Sequence, residues 1–172
     1  MPQIDTFIET QKIQACVRDL GNKISKDYQG KELVVIGVLK GAFIFMADLV
    51  RHLTVPVSCD FLSLSSYGDH TESSGIVKIT QDLTQPIEGK NVLIVEDIID
   101  TGLTMDYLLK NLHTRKPQSI NICALLSKPS RRKVHVDIHY VGFEIDDTFV
   151  VGYGMDYASL YRNLDFIGVC KT

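Results

Sequence analysis

The chain has 172 residues, of which 45% are apolar and 23% charged. These are the proportions of a globular protein and exclude a disordered, collagen-like or coiled-coil chain. Its 18 Lys and Arg against 21 Asp and Glu leave a net charge of −3, which argues against general nucleic-acid binding, a task that wants a basic excess. The length suits a single domain over 1–172. Cys16, Cys59, Cys123 and Cys170 are scattered, with no C-x-x-C spacing. They read as reduced and mostly buried, which points to the cytoplasm. The N-terminus lacks the basic-then-apolar pattern of a signal peptide, and no apolar run reaches the roughly 20 residues of a membrane span.

In chain order, residues 4 to about 26 read as helix, because Ile13, Cys16, Val17, Leu20 and Ile24 recur at helical spacing. LVVIGVL (33–39) is a continuous β-branched run, suited to a strand buried on both faces. Gly41 opens a second helical stretch, AFIFMADLVRHL, and VSCDFLSLSSY after Pro56 reads as a strand. The polar, Gly/Ser-rich stretch 63–75 reads as a loop of the kind that covers sites. IVKITQDL is a strand, followed by a turn near Pro86 and Gly89. NVLIVEDII (91–99) is the strongest buried strand. It leads through Asp-Thr-Gly into a helix starting near Thr101, with Met105, Leu108, Leu109 and Leu112 on one face. SINICALLS (119–127), VHVDIHYVGF and FVVGYG read as strands, then come a helical turn near 157–163 and the strand FIGVC. Strands alternating with helices predict an α/β fold with a mainly parallel sheet.

VEDIIDTGLT (95–104) brings Glu96, Asp97 and Asp100 to the carboxyl end of a buried strand, where ligands bind in parallel α/β sheets. The following helix start offers free N–H groups and a positive dipole end, a site for phosphate. Gly102 permits close approach to the backbone, and the Thr101 and Thr104 hydroxyls add donors. Adjacent carboxylates suit sugar hydroxyls or a hard cation. Asp100 or Thr101 alone equally suits an N-cap. A cap leaves Glu96 and Asp97 unexplained, since carboxylates are rarely buried without a partner. The chain has no G-x-x-x-x-G-K-[ST] loop. Asp-Thr-Gly is also the aspartic-protease triplet, but here it occurs once and runs into an amphipathic helix.

VEDIIDTGLT resembles the signature of the type I phosphoribosyltransferases, which bind 5-phosphoribosyl-1-pyrophosphate (PRPP). Leu39-Lys40-Gly41 resembles the family's first loop and Ser65-Ser66-Tyr67-Gly68 the start of its flexible catalytic loop. Lys128 sits at the base-recognition position, VGFEIDDTFVVGYGMDY (141–157) resembles the purine-binding segment, and Arg162 follows. Together these narrow the resemblance to the hypoxanthine-guanine branch, over residues from about 33 to 165.

The resemblance implies a Rossmann-like α/β sheet flanked by helices, with a small hood formed by the terminal segments. It also implies a pentosyltransferase that joins the phosphoribosyl group to a 6-oxopurine and releases pyrophosphate. Asp100, Thr101, Gly102, Leu103 and Thr104 would wrap the 5-phosphate, and Asp100 would also act as the base near purine N7. Glu96 and Asp97 would hold the ribose hydroxyls. Lys40, Gly41 and Arg162 would bind pyrophosphate. Ser66 and Tyr67 would form a lid. Lys128 would donate to O6, Phe149 and Ile98 would sandwich the purine, and Val150 and Asp156 would line its edge. Mg²⁺ is the implied cofactor, with Glu96, Asp97 and Asp156 near it. The expected partners are PRPP, a 6-oxopurine and a second copy of the chain in a homodimer or homotetramer, with no nucleic acid and no membrane.

His135, Asp137 and His139 alternate as metal ligands do, but read better as a solvated strand face. Arg131, Arg132 and Lys133 are too few for a nucleic-acid patch. The rival functions are a nucleotide-sensing regulator on the same fold and a xanthine-preferring transferase. The lid, Asp100, Lys128 and Arg162 favour an enzyme, while preference at purine C2 is left open.

Overall fold

The computed structural model describes residues 3–66 and 77–171. In chain order the strands and helices are β1 (Gln3–Ile8), α1 (Thr10–Asp27), β2 (Leu33–Leu39), α2 (Phe43–Val50), β3 (Val57–Ser66), β4 (Val77–Gln81), β5 (Asn91–Ile99), α3 (Leu103–His113), β6 (Ser119–Ser127), β7 (Tyr140–Glu144), β8 (Val150–Val151) and β9 (Ile167–Lys171), with one turn of 3-10 helix at Pro129–Arg131. The main sheet has the order β4–β3–β2–β5–β6–β7. All its pairings are parallel except that of the edge strand β4.

Alternation along the strands decides what covers each face. Val34, Ile36, Val92, Ile94, Ile122 and Ala124 pack with Met105, Leu108 and Leu112 of α3. Leu33, Val35, Leu93, Val95 and Leu125 pack on the other face with Ile13, Val17, Leu20 and Ile24 of α1 and Phe45, Met46 and Leu49 of α2. A sheet buried on both faces explains why β2 and β5 read as unbroken apolar runs. The first polar side chains of β5 after that run are Glu96 and Asp97, at its carboxyl end.

A second sheet, β1–β9–β8, is antiparallel and forms the hood from the two terminal segments and β8. The expected helix over 4–26 is therefore corrected. Its first residues are strand, and the helix begins only at Thr10. Residues 3–8 have no sustained helical period of their own, and their conformation is set by pairing with β9. Two further expectations change. Residues 134–139 are not strand, and β7 begins at Tyr140. His135 bonds Asp137 in an exposed loop, and among the described residues no three His, Cys, Asp or Glu side chains converge as a metal site. The helical turn near 157–163 is a set of tight turns instead, with Ala158, Ser159 and Tyr161 at positive φ.

The cysteines are all free, but only Cys123 is fully buried, and Cys59 is exposed. Among the described residues no helix is long and apolar enough to cross a membrane.

Candidate active site

Helix α3 starts at Leu103, two residues later than the sequence suggests. Its N-cap is Gly102 at φ +85°, and no side chain caps it. The Leu103 N–H donates to Thr101 Oγ1 in one long bond of 3.4 Å, whereas Asp100 points elsewhere, to Arg131. The capping explanation therefore fails for Asp100 and leaves Thr101 with one weak contact to the helix start. The first-turn N–H groups, with no side-chain cap, border a cleft of about 120 Å³ lined by Glu96, Ile98, Ile99, Asp100, Thr101, Gly102, Thr104 and Met105. Gly102 is required there twice over: its φ favours glycine, and a Cβ would come within 2.7 Å of the Val134 carbonyl. Arg132 backs the same turn and donates to Ser127 Oγ at 2.9 Å, so it is not a free basic patch.

A second cleft of about 250 Å³ adjoins the first. It is lined by Asp97, Ile98, Asp100, Lys128, Phe149, Val150, Met155 and Asp156. All but Met155 are residues that the sequence singles out. The two clefts share Ile98 and Asp100, so Asp100 stands at their junction. Phe149 is 57% exposed and presents an open aromatic face. Tyr157, which ends the 141–157 segment but is given no role there, braces it edge-on at 5.9 Å. A larger open cleft of about 440 Å³ near Glu32 and Lys90 lies at the amino ends of the strands and holds none of these residues.

Lys40 and Gly41 follow β2 beside this site. The Leu39–Lys40 peptide bond is cis. Gly41 packs on Asp97 so closely that a Cβ would stand 1.7 Å from the carboxylate, and a Cβ on Gly154 would stand 2.1 Å from the Gly41 carbonyl. The loop is thus held between Asp97 and Gly154, and the Gly154 N–H in turn donates to the Arg162 carbonyl at 3.0 Å. Gly41→Ala forces the Asp97 carboxylate or the loop aside. We expect kcat/KM of the reaction at this site to fall by about tenfold or more, since small misplacements at a reacting centre are costly. Steady-state kinetics of Gly41→Ala beside the wild type checks this.

Arg162 and Asp156 are joined to each other. Arg162 Nη2 lies 2.5 Å from Asp156 Oδ1, its Nη1 donates to the Gly154 carbonyl at 2.6 Å, and Asp156 Oδ2 accepts from Ser159 N–H at 2.7 Å. Ser66 ends β3 at the same end of the sheet, and Tyr67, the other residue expected to form a lid, lies outside the described residues.

Glu96 and Asp97 interact at the end of β5. Burial pushes Glu96 well above the usual carboxylate range, and the Asp97 charge and a hydrogen bond to Asp97 add to the rise. Burial also raises Asp97, against the pull of that bond, of the Ile98 N–H and of Arg162. Glu96 Oε2 is buried without a hydrogen-bond partner. Protein atoms alone thus leave this pair under-satisfied, which suits a site completed by hydroxyls or a hard cation. The unfolded chain releases the Glu96 proton near pH 4.5, whereas the folded protein keeps it. Stability should therefore fall as pH rises from there through the raised folded value. Glu96→Gln removes that loss. Its thermal midpoint should exceed that of the wild type by about 2–4 °C at pH 8, with the difference gone below pH 4.

The chain's relatives match this architecture. A family model described as the phosphoribosyl transferase domain matches residues 3–158. The chain belongs to the phosphoribosyl transferase family. It is 51% identical over 165 residues to the hypoxanthine-guanine phosphoribosyltransferase of Bacillus subtilis, covering 96% of this chain and 92% of that one. It is 51% identical to the hypoxanthine phosphoribosyltransferase of Haemophilus influenzae, covering 96% and 94%. A crystal structure of a hypoxanthine-guanine phosphoribosyltransferase from Bacillus anthracis, with a HEPES molecule in its active site, superposes with a TM-score of 0.94 at 48% identity, covering 99% of this chain and all of that one. Family membership makes the chain a pentosyltransferase and confirms the expected type I architecture.

Proposed function

We propose that the protein transfers the 5-phosphoribosyl group of PRPP to N9 of hypoxanthine or guanine in purine salvage, giving the nucleoside monophosphate and pyrophosphate. The observation that carries this reading is the pair of clefts joined at Asp100. One is bordered by an uncapped helix start suited to phosphate, and the other is closed by Lys128 and an open aromatic face.

The 5-phosphate is held by backbone N–H groups of 101–104 and the threonine hydroxyls, where the α3 dipole favours negative charge. Glu96 and Asp97 accept from the ribose hydroxyls. Their proton is shed or shared as ligand donors replace it. Lys40, Gly41 and Arg162 meet the pyrophosphate, for which Arg162 exchanges its bond to Asp156. Ile98 and Phe149 enclose the purine, Val150 borders its edge and Lys128 donates to O6. Asp100 takes the N7 proton as N9 attacks C1. Developing charge on C1 and pyrophosphate demands that water be kept out, the task assigned to Ser66 and Tyr67.

The residues present fit Mg²⁺ carried in on the diphosphate rather than held by a protein cage. Glu96 offers a buried oxygen with no partner, while Asp97 Oδ1 accepts from the Ile98 N–H and both Asp156 oxygens already accept bonds. When bound, such a cation would supply positive charge to offset the negative charge developing on the leaving pyrophosphate. The same reading has one domain acting in the cytoplasm as a homodimer or homotetramer, and the four free cysteines are compatible with that compartment.

The test offers hypoxanthine, guanine, xanthine, adenine and uracil separately with PRPP and Mg²⁺. Rapid monophosphate formation with hypoxanthine or guanine is expected. Inertness with every base overturns the reading, and a preference for xanthine moves the protein to the rival branch.

A further inference from the structure

A set of charges runs from Asp100 to Lys128, and its two middle members, Arg131 and Asp147, have no part in the roles above. Arg131 donates from Nε to Asp100 Oδ1 at 3.2 Å and from Nη1 to Asp147 Oδ2 at 3.1 Å. The other Asp147 oxygen faces Lys128 Nζ at 3.7 Å, too long for a hydrogen bond and within ion-pair range. Negative and positive groups thus alternate from Asp100 through Arg131 and Asp147 to Lys128. The two ends are the groups assigned to N7 and O6 of the purine. The two middle residues line neither cleft.

These pairs are poor devices for holding the fold together. The Arg131 and Asp147 side chains are 45% and 55% exposed, and exposed ion pairs contribute little to stability. A guanidinium is well suited to fixing direction, because its donors lie in one rigid plane. Here a single guanidinium joins a carboxylate of the loop after β5 to a carboxylate of the segment after β7. Its bond goes to Asp100 Oδ1, so Oδ2 stays available to a substrate proton. Purine O6 and N7 lie on one edge of the base, so the two groups that read them must keep a constant spacing. If either drifts, N9 is carried off line from C1.

We propose that Arg131 and Asp147 are positioning residues that hold Lys128 and Asp100 as one reader of the O6/N7 edge of a 6-oxopurine. The proposal rests on the site reading given above. Its consequence is specific: losing either residue disturbs the base-dependent step and leaves PRPP binding alone.

The test is steady-state kinetics of Arg131→Met, Asp147→Asn and the double variant, with hypoxanthine and PRPP both varied, beside thermal midpoints. Each single variant should lose about tenfold in kcat/KM for hypoxanthine, with the KM for PRPP within about twofold and the thermal midpoint unchanged. The double variant should be no more than about twofold worse than the weaker single, because the set of charges is broken only once. Asp147→Glu, which keeps the charge, should regain part of the loss. Wild-type activity in both single variants, losses that multiply in the double, or an equal rise in the KM for PRPP would overturn the proposal while leaving the transferase activity standing. A wild type inert with every 6-oxopurine overturns both this and the reading beneath it.

Discussion

Asp100→Asn lowers kcat with hypoxanthine by about 100- to 1000-fold, the usual worth of a positioned general base, and leaves the KM for PRPP nearly unchanged. The substitution keeps the shape of the side chain and an oxygen able to accept from Arg131, which now bonds Asp100 Oδ1. It leaves the first turn of α3 intact, so the phosphate cradle survives. What it removes is the capacity to take a proton at the junction of the two clefts. A binding role predicts the opposite split, with a raised KM for PRPP and an unchanged kcat. Initial rates with both substrates varied separate the two.

Lys128→Gln has the second-largest effect. The Lys128 side chain is only 8% exposed, and its backbone N–H is fixed to the Ile99 carbonyl at 3.0 Å. The ammonium therefore enters the purine cleft from a rigid strand end. An ammonium donates and never accepts, so it rewards the 6-oxo group and offers the 6-amino group of adenine no acceptor. Losing a charged hydrogen bond of this kind should lower kcat/KM for hypoxanthine by about 100-fold. The Gln amide both donates and accepts, so the hypoxanthine-to-adenine ratio should narrow sharply. An unchanged ratio in competition assays would remove Lys128 from base selection.

Much of this architecture is written locally in the chain. β5 and β6 are found at their sequence-predicted bounds, because strands buried on both faces appear as unbroken apolar runs closed by polar residues. The second cleft is legible for a related reason: all of its lining residues, Met155 included, lie in segments 97–100, 128 and 149–156, which resemble the family's motifs. Residues 3–8 could not be read, since their strand exists only through pairing with β9, more than 150 positions away. The turns over 157–163 were equally hidden, because positive φ at three non-glycine residues is uncommon and no glycine marks those positions.

The roles of Arg131 and Asp147 were obscured differently. Arg131 sits in a basic triplet that suggests a solvated surface, and Asp147 in a motif whose other residues draw attention. Only the folded chain brings them together between Asp100 and Lys128. The hydrogen bonds that tie Arg162 to Asp156 and Gly154 also arise from the fold alone.

The net charge of −3 argues against general nucleic-acid binding without arguing against a phosphorylated small molecule. In the proposed mechanism a polyphosphate substrate is met by local features, the α3 start, Lys40 and Arg162, and the acidic residues at the end of β5 are assigned to sugar and cation.

A crystal structure of the protein with inosine 5′-monophosphate tests the central claim most directly. The account predicts phosphate oxygens on the N–H groups of 101–104 and the purine between Ile98 and Phe149, with O6 on Lys128 and N7 on Asp100. A nucleotide seated in the cleft near Glu32 and Lys90, or a purine turned so that O6 faces away from Lys128, would contradict it.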